Sequence, residues 1–132
     1  MGLKKATLLN RMAKPDFVPL EQIIRGTYCS LKGLRAGWRT QASLRYEICA
    51  LLIIMPVAWL LGKDGGERAL LIGSSLFVVV VELINSAIET VVDRIGPEYH
   101  ELSGRAKDLG SAAVFCSIIM AVIIWVVLLT HR

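Results

Sequence analysis

The sequence predicts an all-α membrane protein with three transmembrane helices and an amino-terminal amphipathic helix at the membrane interface. Of its 132 residues, 55% are hydrophobic, and the mean hydropathy is +0.58. Apolar residues are concentrated in three stretches, 48–62, 69–92 and 109–130. A membrane-spanning helix needs about 20 mostly apolar residues. The length allows one domain, so we expect residues 1–132 to form a single membrane-integral domain.

Positive charge is concentrated before the first apolar stretch. Residues 1–45 hold nine Lys or Arg and two acids. Such a segment can bind nucleic acid, but its position just before a span favours the anionic cytoplasmic face of a membrane. We therefore expect the amino terminus in the cytoplasm and the carboxyl terminus on the opposite side.

The elements follow in order along the chain. We expect residues 1–20 to form a basic tail, and residues 21–40 to form an interfacial helix whose apolar residues share one broad side while its basic residues reach water. The predicted transmembrane helices are 42–61, 67–95 and 106–130, with a glycine-rich turn at 62–66 before the second. Four aromatic residues are predicted to anchor the helices at the membrane interface: Trp38, Trp59, Trp125 and Tyr99.

The second predicted span carries acids where a membrane helix should be apolar. Four polar side chains lie within roughly 80° of one helix face, at about 100° per residue: Glu82, Asn85, Glu89 and Asp93. If the span begins near Ala69, Glu82 is ~20 Å into a hydrocarbon core about 30 Å thick. One interpretation is a polar seam that helps the helices associate, at about 0.6 kcal/mol for each bond. A charge at mid-span costs about 2.5–3.5 kcal/mol, which favours a functional role.

The loop at 95–108 brings further charged side chains to the same end of the helices, Lys107 and Asp108 among them. Mg²⁺ binds one or two carboxylates together with substrate phosphates. A lysine beside them neutralises charge that develops during transfer. The deeper Glu82 suits a general base that removes a proton from a hydroxyl. This pattern predicts phosphoryl transfer from a soluble nucleotide to a hydroxyl held at lipid depth.

Residues 81–114, VELINSAIETVVDRIGPEYHELSGRAKDLGSAAV, resemble the signature of the small integral-membrane diacylglycerol kinases of bacteria. KGLRAGW at 32–38 resembles the amino-terminal segment of that family. The resemblance implies a homotrimer in the bacterial inner membrane, with active sites shared between subunits. It implies MgATP-dependent phosphorylation of diacylglycerol to phosphatidic acid, with no nucleic acid partner.

The resemblance also implies roles for individual residues. Glu82 would be the catalytic base and Glu89 a metal ligand. The nucleotide and phosphate network would comprise Asn85, Asp93, Lys107, Asp108 and Glu47, and the lipid substrate would meet Ser30, Arg45 and Ser111. A metal-site glutamate of the family is replaced here by Gln41. An amide oxygen can still bind Mg²⁺ but brings no charge, so we expect this chain to need more Mg²⁺.

Three alternatives stay open at the level of sequence. A sister kinase of the family would phosphorylate undecaprenol by the same chemistry, although EYHELSGRAKDLGSAAV (98–114) resembles the diacylglycerol branch more. A small proton- or cation-conducting protein would use Glu82 and Glu89 as a relay without nucleotide. A degenerate relative, kept as a structural membrane subunit, would turn over no lipid.

Overall fold

Four helices make up the part of the chain that the computed structural model describes, which is residues 19–96, 98 and 100–131. They are α1 (Pro19–Thr40), α2 (Ala42–Leu61), α3 (Gly65–Ile95) and α4 (Glu101–Thr130). No strand occurs in those ranges. This confirms the all-α fold with three spans and an amino-terminal helix. The predicted basic tail, apart from its last two residues, lies outside the described residues.

The chain divides at Arg35 into two compact units, which are described separately. In the first unit, α1 exposes apolar side chains such as Ile23 (64%) and Leu31 (62%). The hydroxyls of Thr27 and Ser30 donate to backbone carbonyls one turn earlier. The interfacial location of α1 and the single-domain organisation stay predictions.

The second unit begins at Ala36 and contains the three long helices, with α3 packed against both α2 and α4. All three are long and apolar enough to cross a membrane. Large apolar side chains point outward, Leu60 being 81% exposed. The buried polar side chains are Ser74, Ser75, Glu82, Asn85, Ser86 and Ser117. Polar groups between the helices and apolar groups outside are the arrangement expected in a bilayer.

The amino-terminal end of α3 lies two residues before the predicted start, because Asp64 caps it. The backbone N–H of Glu67 donates to Asp64 Oδ1 at 2.9 Å. The Glu67 carboxylate in turn accepts from the backbone N–H of Lys63 at 2.9 Å. The first bond satisfies an amide group of the first helical turn, and the second holds the backbone of Lys63, which precedes the cap.

The amino-terminal end of α4 also differs from the predicted boundary, since the helix begins at Glu101 rather than at residue 106. His100 is its N-cap, and the ring Nδ1 accepts from the backbone N–H of Leu102 at 3.2 Å. Histidine is not among the residues that usually cap helices, so composition gave no signal for this start.

Trp125, which is predicted to be an interface anchor, also makes a contact between helices. Its ring is half-buried, and its Nε1–H donates to the Leu71 carbonyl and to Ser75 Oγ, each at 3.3 Å. The indole therefore joins α4 to α3. Trp59 is 57% exposed, with the Arg68 guanidinium 4.9 Å from its ring centroid, a cation–π contact. Tyr99 lies outside the described residues, and the interfacial location of these aromatic side chains stays a prediction.

Candidate active site

Glu82 lies on the buried side of α3, with 3% of its surface exposed. Its Oε1 accepts a hydrogen bond from the hydroxyl of Ser43 on α2. Its Oε2 is 3.5 Å from Asn85 Nδ2. A carboxylate in a helix that is long enough to span a membrane is expensive unless it faces the interior and has polar partners, and Glu82 meets both conditions.

Asn85 connects Glu82 to Glu89. Its Nδ2 also donates to Glu89 Oε1 at 3.3 Å, so one amide group contacts two of the three carboxylates in the polar stripe of α3, which comprises Glu82, Asn85, Glu89 and Asp93. Asn85 is 7% exposed, and its Oδ1 is buried with no hydrogen-bond partner among the described residues. Gly110 of α4 lies against this oxygen. The side chain is therefore held from one side by carboxylates and from the other by backbone.

The outer end of the stripe is an ion pair between helices. Lys107 Nζ on α4 lies 2.6 Å from Asp93 Oδ1 on α3, and these side chains are 42% and 64% exposed. An exposed pair of this kind contributes little stability, typically about 0–1 kcal/mol. Because both side chains are exposed and their pairing is weak, both groups remain accessible to an incoming charged ligand. Asp108, next to Lys107, is exposed.

Two further predicted residues lie near the start of α2. Gln41 is its N-cap and is half-buried, but its side chain makes no capping hydrogen bond. Glu47 lines an apolar groove of about 440 Å³ together with side chains of α3 and α4. Its Oε2 is buried without a hydrogen-bond partner in the described part of the chain.

The structure does not test the prediction that three residues meet the lipid. Arg45 donates from Nη1 to the carbonyls of Trp38 (3.0 Å) and Arg39 (3.5 Å), and so bonds the last turn of α1. Ser111 is exposed on α4. The hydroxyl of Ser30 bonds to its own helix. Their role in lipid binding stays a prediction.

A complete metal site is not formed by the described residues of one chain. Within residues 19–96, 98 and 100–131, no three His, Cys, Asp or Glu side chains come together as metal ligands. Mg²⁺ bound with nucleotide needs fewer, since phosphates supply part of its coordination. Glu89, half-buried and next to the exposed end of the stripe, has the donor chemistry for it.

Comparison with known proteins identifies the family. The sequence model of the prokaryotic diacylglycerol kinases matches residues 28–129. The chain belongs to the prokaryotic diacylglycerol kinase family. Membership of a kinase family implies a nucleotide co-substrate. With its three apolar helices and bacterial relatives, this diacylglycerol kinase family member is a bacterial membrane protein.

The chain aligns with most of the length of its curated relatives. The diacylglycerol kinase of Escherichia coli (strain K12) is 56% identical over 108 residues, which are 82% of this chain and 88% of the relative. That of Haemophilus influenzae is 46% identical over 106 residues, or 80% and 90%. That of Pseudomonas aeruginosa is 43% identical over 110 residues, or 83% and 89%.

Two residues that shape the site of this diacylglycerol kinase family member were not predicted from the sequence: Ser43 and Gly110. Ser43 is 39 positions from Glu82, and no pattern along the chain relates the two. Gly110 had a weak signal, because small residues are enriched where membrane helices approach closely. To predict that Gly110 faces Asn85, one must know how α3 and α4 are rotated relative to each other, and that is known only from the folded structure.

Proposed function

We propose that this chain is a diacylglycerol kinase that transfers the γ-phosphoryl group of MgATP to the hydroxyl of diacylglycerol and so forms phosphatidic acid. The observation that carries the proposal is Glu82, a buried carboxylate on a membrane-spanning helix that is linked through Asn85 to Glu89. The names of the curated relatives support the choice of lipid.

The reaction places Glu82 as the general base. The lipid hydroxyl oxygen attacks the γ-phosphorus, and its proton passes to the Glu82 carboxylate. The bond between the γ-phosphorus and the β,γ-bridging oxygen breaks, and ADP leaves. The hydrogen bond from the hydroxyl of Ser43 supports this role, because Glu82 already accepts from an alcohol group of the kind a lipid would bring. A positioned general base contributes about 10²–10⁴-fold to rate.

Glu89 is the proposed ligand for Mg²⁺, with Gln41 as a second, uncharged one. The donor set fits the ion, which prefers oxygen ligands and takes one or two carboxylates beside phosphates. When bound, Mg²⁺ would offset the negative charge of the phosphates. Lys107 would turn from Asp93 to the nucleotide, and Asp93, Asp108 and Glu47 would complete the network around it.

A homotrimer with active sites shared between subunits is part of the proposal. It would explain why the described residues of one chain bring together only part of a metal site. It would also cover apolar side chains that one chain leaves exposed, such as Leu60 and Phe115. The positive amino-terminal segment supports an inner-membrane topology with that end in the cytoplasm and the carboxyl terminus in the periplasm.

One assay tests the function and its alternatives together. The full-length protein, purified into mixed micelles, receives γ-labelled ATP, Mg²⁺ and either diacylglycerol or undecaprenol. We expect label in phosphatidic acid and much less in undecaprenyl phosphate. A preference for undecaprenol would show that the chain is the undecaprenol kinase of the same family. Absence of both products, checked with protein from fresh membranes, would contradict the kinase proposal, and ion flux in liposomes without nucleotide would then favour a relay.

A further inference from the structure

Ser43 lies in the first turn of α2 and donates its hydroxyl hydrogen to Glu82 Oε1 on α3. Nothing in the family resemblance gives Ser43 a role. The bond joins two helices and ends on the most buried acid of the stripe. A hydroxyl has one hydrogen to donate, and here that hydrogen is directed at the carboxylate.

The two oxygens of Glu82 are held unequally. Oε1 has the hydroxyl of Ser43 as its donor. Among the described residues, the donor to Oε2 is Asn85 Nδ2 at 3.5 Å, and that nitrogen is closer to Glu89, at 3.3 Å. Amide donors usually lie about 2.7–3.2 Å from an oxygen acceptor, so the contact to Oε2 is weak. Oε2 is therefore the oxygen with free capacity to accept a proton.

We propose that Ser43 is a positioning residue that fixes Glu82 Oε1 and thereby presents Oε2 to the acceptor hydroxyl of the lipid. The inference rests on the proposed function, in which Glu82 is the base. A carboxylate held at one oxygen from a separate helix cannot turn freely about its terminal bond. Catalysis by a base requires that alignment, because small misplacements of the reacting atoms slow the reaction steeply.

The effect should appear in turnover rather than in binding. Ser43→Ala removes the donor and leaves the carboxylate free to rotate. We expect kcat to fall about 10-fold, the scale of a hydrogen bond to a charged group, while KM for diacylglycerol and for MgATP stays within about twofold. Ser43→Thr keeps the hydroxyl and should restore most of the rate. Ser117→Ala is the matched control, because the Ser117 hydroxyl donates to a carbonyl of its own helix at 2.7 Å and does not join two helices in the described part of the chain.

A double variant distinguishes positioning from packing. In a Glu82→Gln background the base is absent, so adding Ser43→Ala should cost less than about twofold in the residual rate. A full 10-fold further loss there, or a loss that Ser43→Thr does not restore, would show that Ser43 acts on packing and would overturn the inference. A raised KM for lipid with unchanged kcat would overturn it too, since Ser43 would then contact the substrate. An inactive wild type would instead contradict the proposed function.

Discussion

Gly110 on α4 lies so close to the side-chain oxygen of Asn85 on α3 that a Cβ at position 110 would overlap it. Asn85 is the residue that contacts both Glu82 and Glu89. The absence of a side chain on one helix thus decides where the amide of another can lie. The contact between Gly110 and Asn85 therefore also affects the positions of the carboxylates that Asn85 contacts.

Gly110→Ala should therefore reduce activity. Alanine in place of glycine normally stabilises a helix, by about 0.5–1 kcal/mol. Here the new methyl group would push the Asn85 amide away from the carboxylates, and we expect kcat to fall at least about 10-fold, the effect of losing about 1.4 kcal/mol of transition-state stabilisation. Gly73→Ala on α3 is the control, because a Cβ there meets no atom within 4 Å. Equal rates for the two variants would show that Asn85 adapts without cost.

Glu82→Gln should nearly abolish phosphatidic acid formation while leaving the thermal unfolding temperature close to that of the wild type. The amide keeps the shape of the side chain and can still accept from the hydroxyl of Ser43. It cannot take up a proton, and the expected loss in kcat is about 10²–10⁴-fold. Initial rates and thermal unfolding in the same detergent check both parts. A variant that keeps more than about a tenth of the wild-type rate would remove Glu82 as the base and favour the polar seam.

Glu89→Gln should raise the Mg²⁺ concentration needed for half-maximal rate and weaken nucleotide binding at the same time. The glutamine oxygen can still accept from Asn85, so the substitution removes charge and leaves that contact possible. A carboxylate attracts a divalent cation more strongly than an amide does. Glu67→Gln is the matched control, because Glu67 is at the opposite end of α3. An Mg²⁺ titration that is unchanged relative to Glu67→Gln would exclude Glu89 from the metal site.

Gln41→Glu should lower the Mg²⁺ requirement, or raise the rate, without altering lipid choice. Gln41 caps α2 but makes no side-chain capping bond, so its amide is free to bind a ligand. A negative charge at a helix amino terminus also adds about 0.3–1 kcal/mol of stability, which must be separated from any metal effect. Gln41→Asn is the control for helix stability, because asparagine is a good N-cap residue but carries no charge that could attract Mg²⁺. If the titrations of all three proteins coincide, position 41 is not a metal ligand.

The number and type of helices could be predicted because they depend on local properties. Apolar stretches of spanning length, and a proline after Gly96, are visible in the sequence itself. The helix boundaries at Gly65 and Glu101 depend on capping bonds made by Asp64 and His100. Aspartate is a common N-cap, so the first boundary had a signal in the sequence, whereas histidine is not and the second had none. These boundaries consequently moved by two and five residues from those that apolar patterning predicted.

The candidate site was predictable along α3 and not across helices. The spacing of Glu82, Asn85 and Glu89 placed them on one face, and the structure connects all three by hydrogen bonds. The partners from other helices, Ser43 and Gly110, depend on how α2 and α4 rotate against α3. That rotation results from side-chain packing, and no single-helix periodicity encodes it.

The bonds from the Trp125 indole to α3 limit how far α3 can shift along α4, and we expect them to fix the depth of α3 in a bilayer. By its own composition α3 would shift along its axis in the direction that brings Glu82 closer to water, because a buried carboxylate is costly in lipid. The uncharged stretch of α4 has no reason to slide, and the bonds from Trp125 to Leu71 and Ser75 tie α3 to it. We therefore expect α4 to hold Glu82, the proposed base, at a fixed depth in the membrane, where it would meet a hydroxyl on a membrane lipid. A spin label at Ile88 should become more accessible to water-soluble quenchers in Trp125→Phe, and unchanged accessibility would mean that packing alone sets the depth.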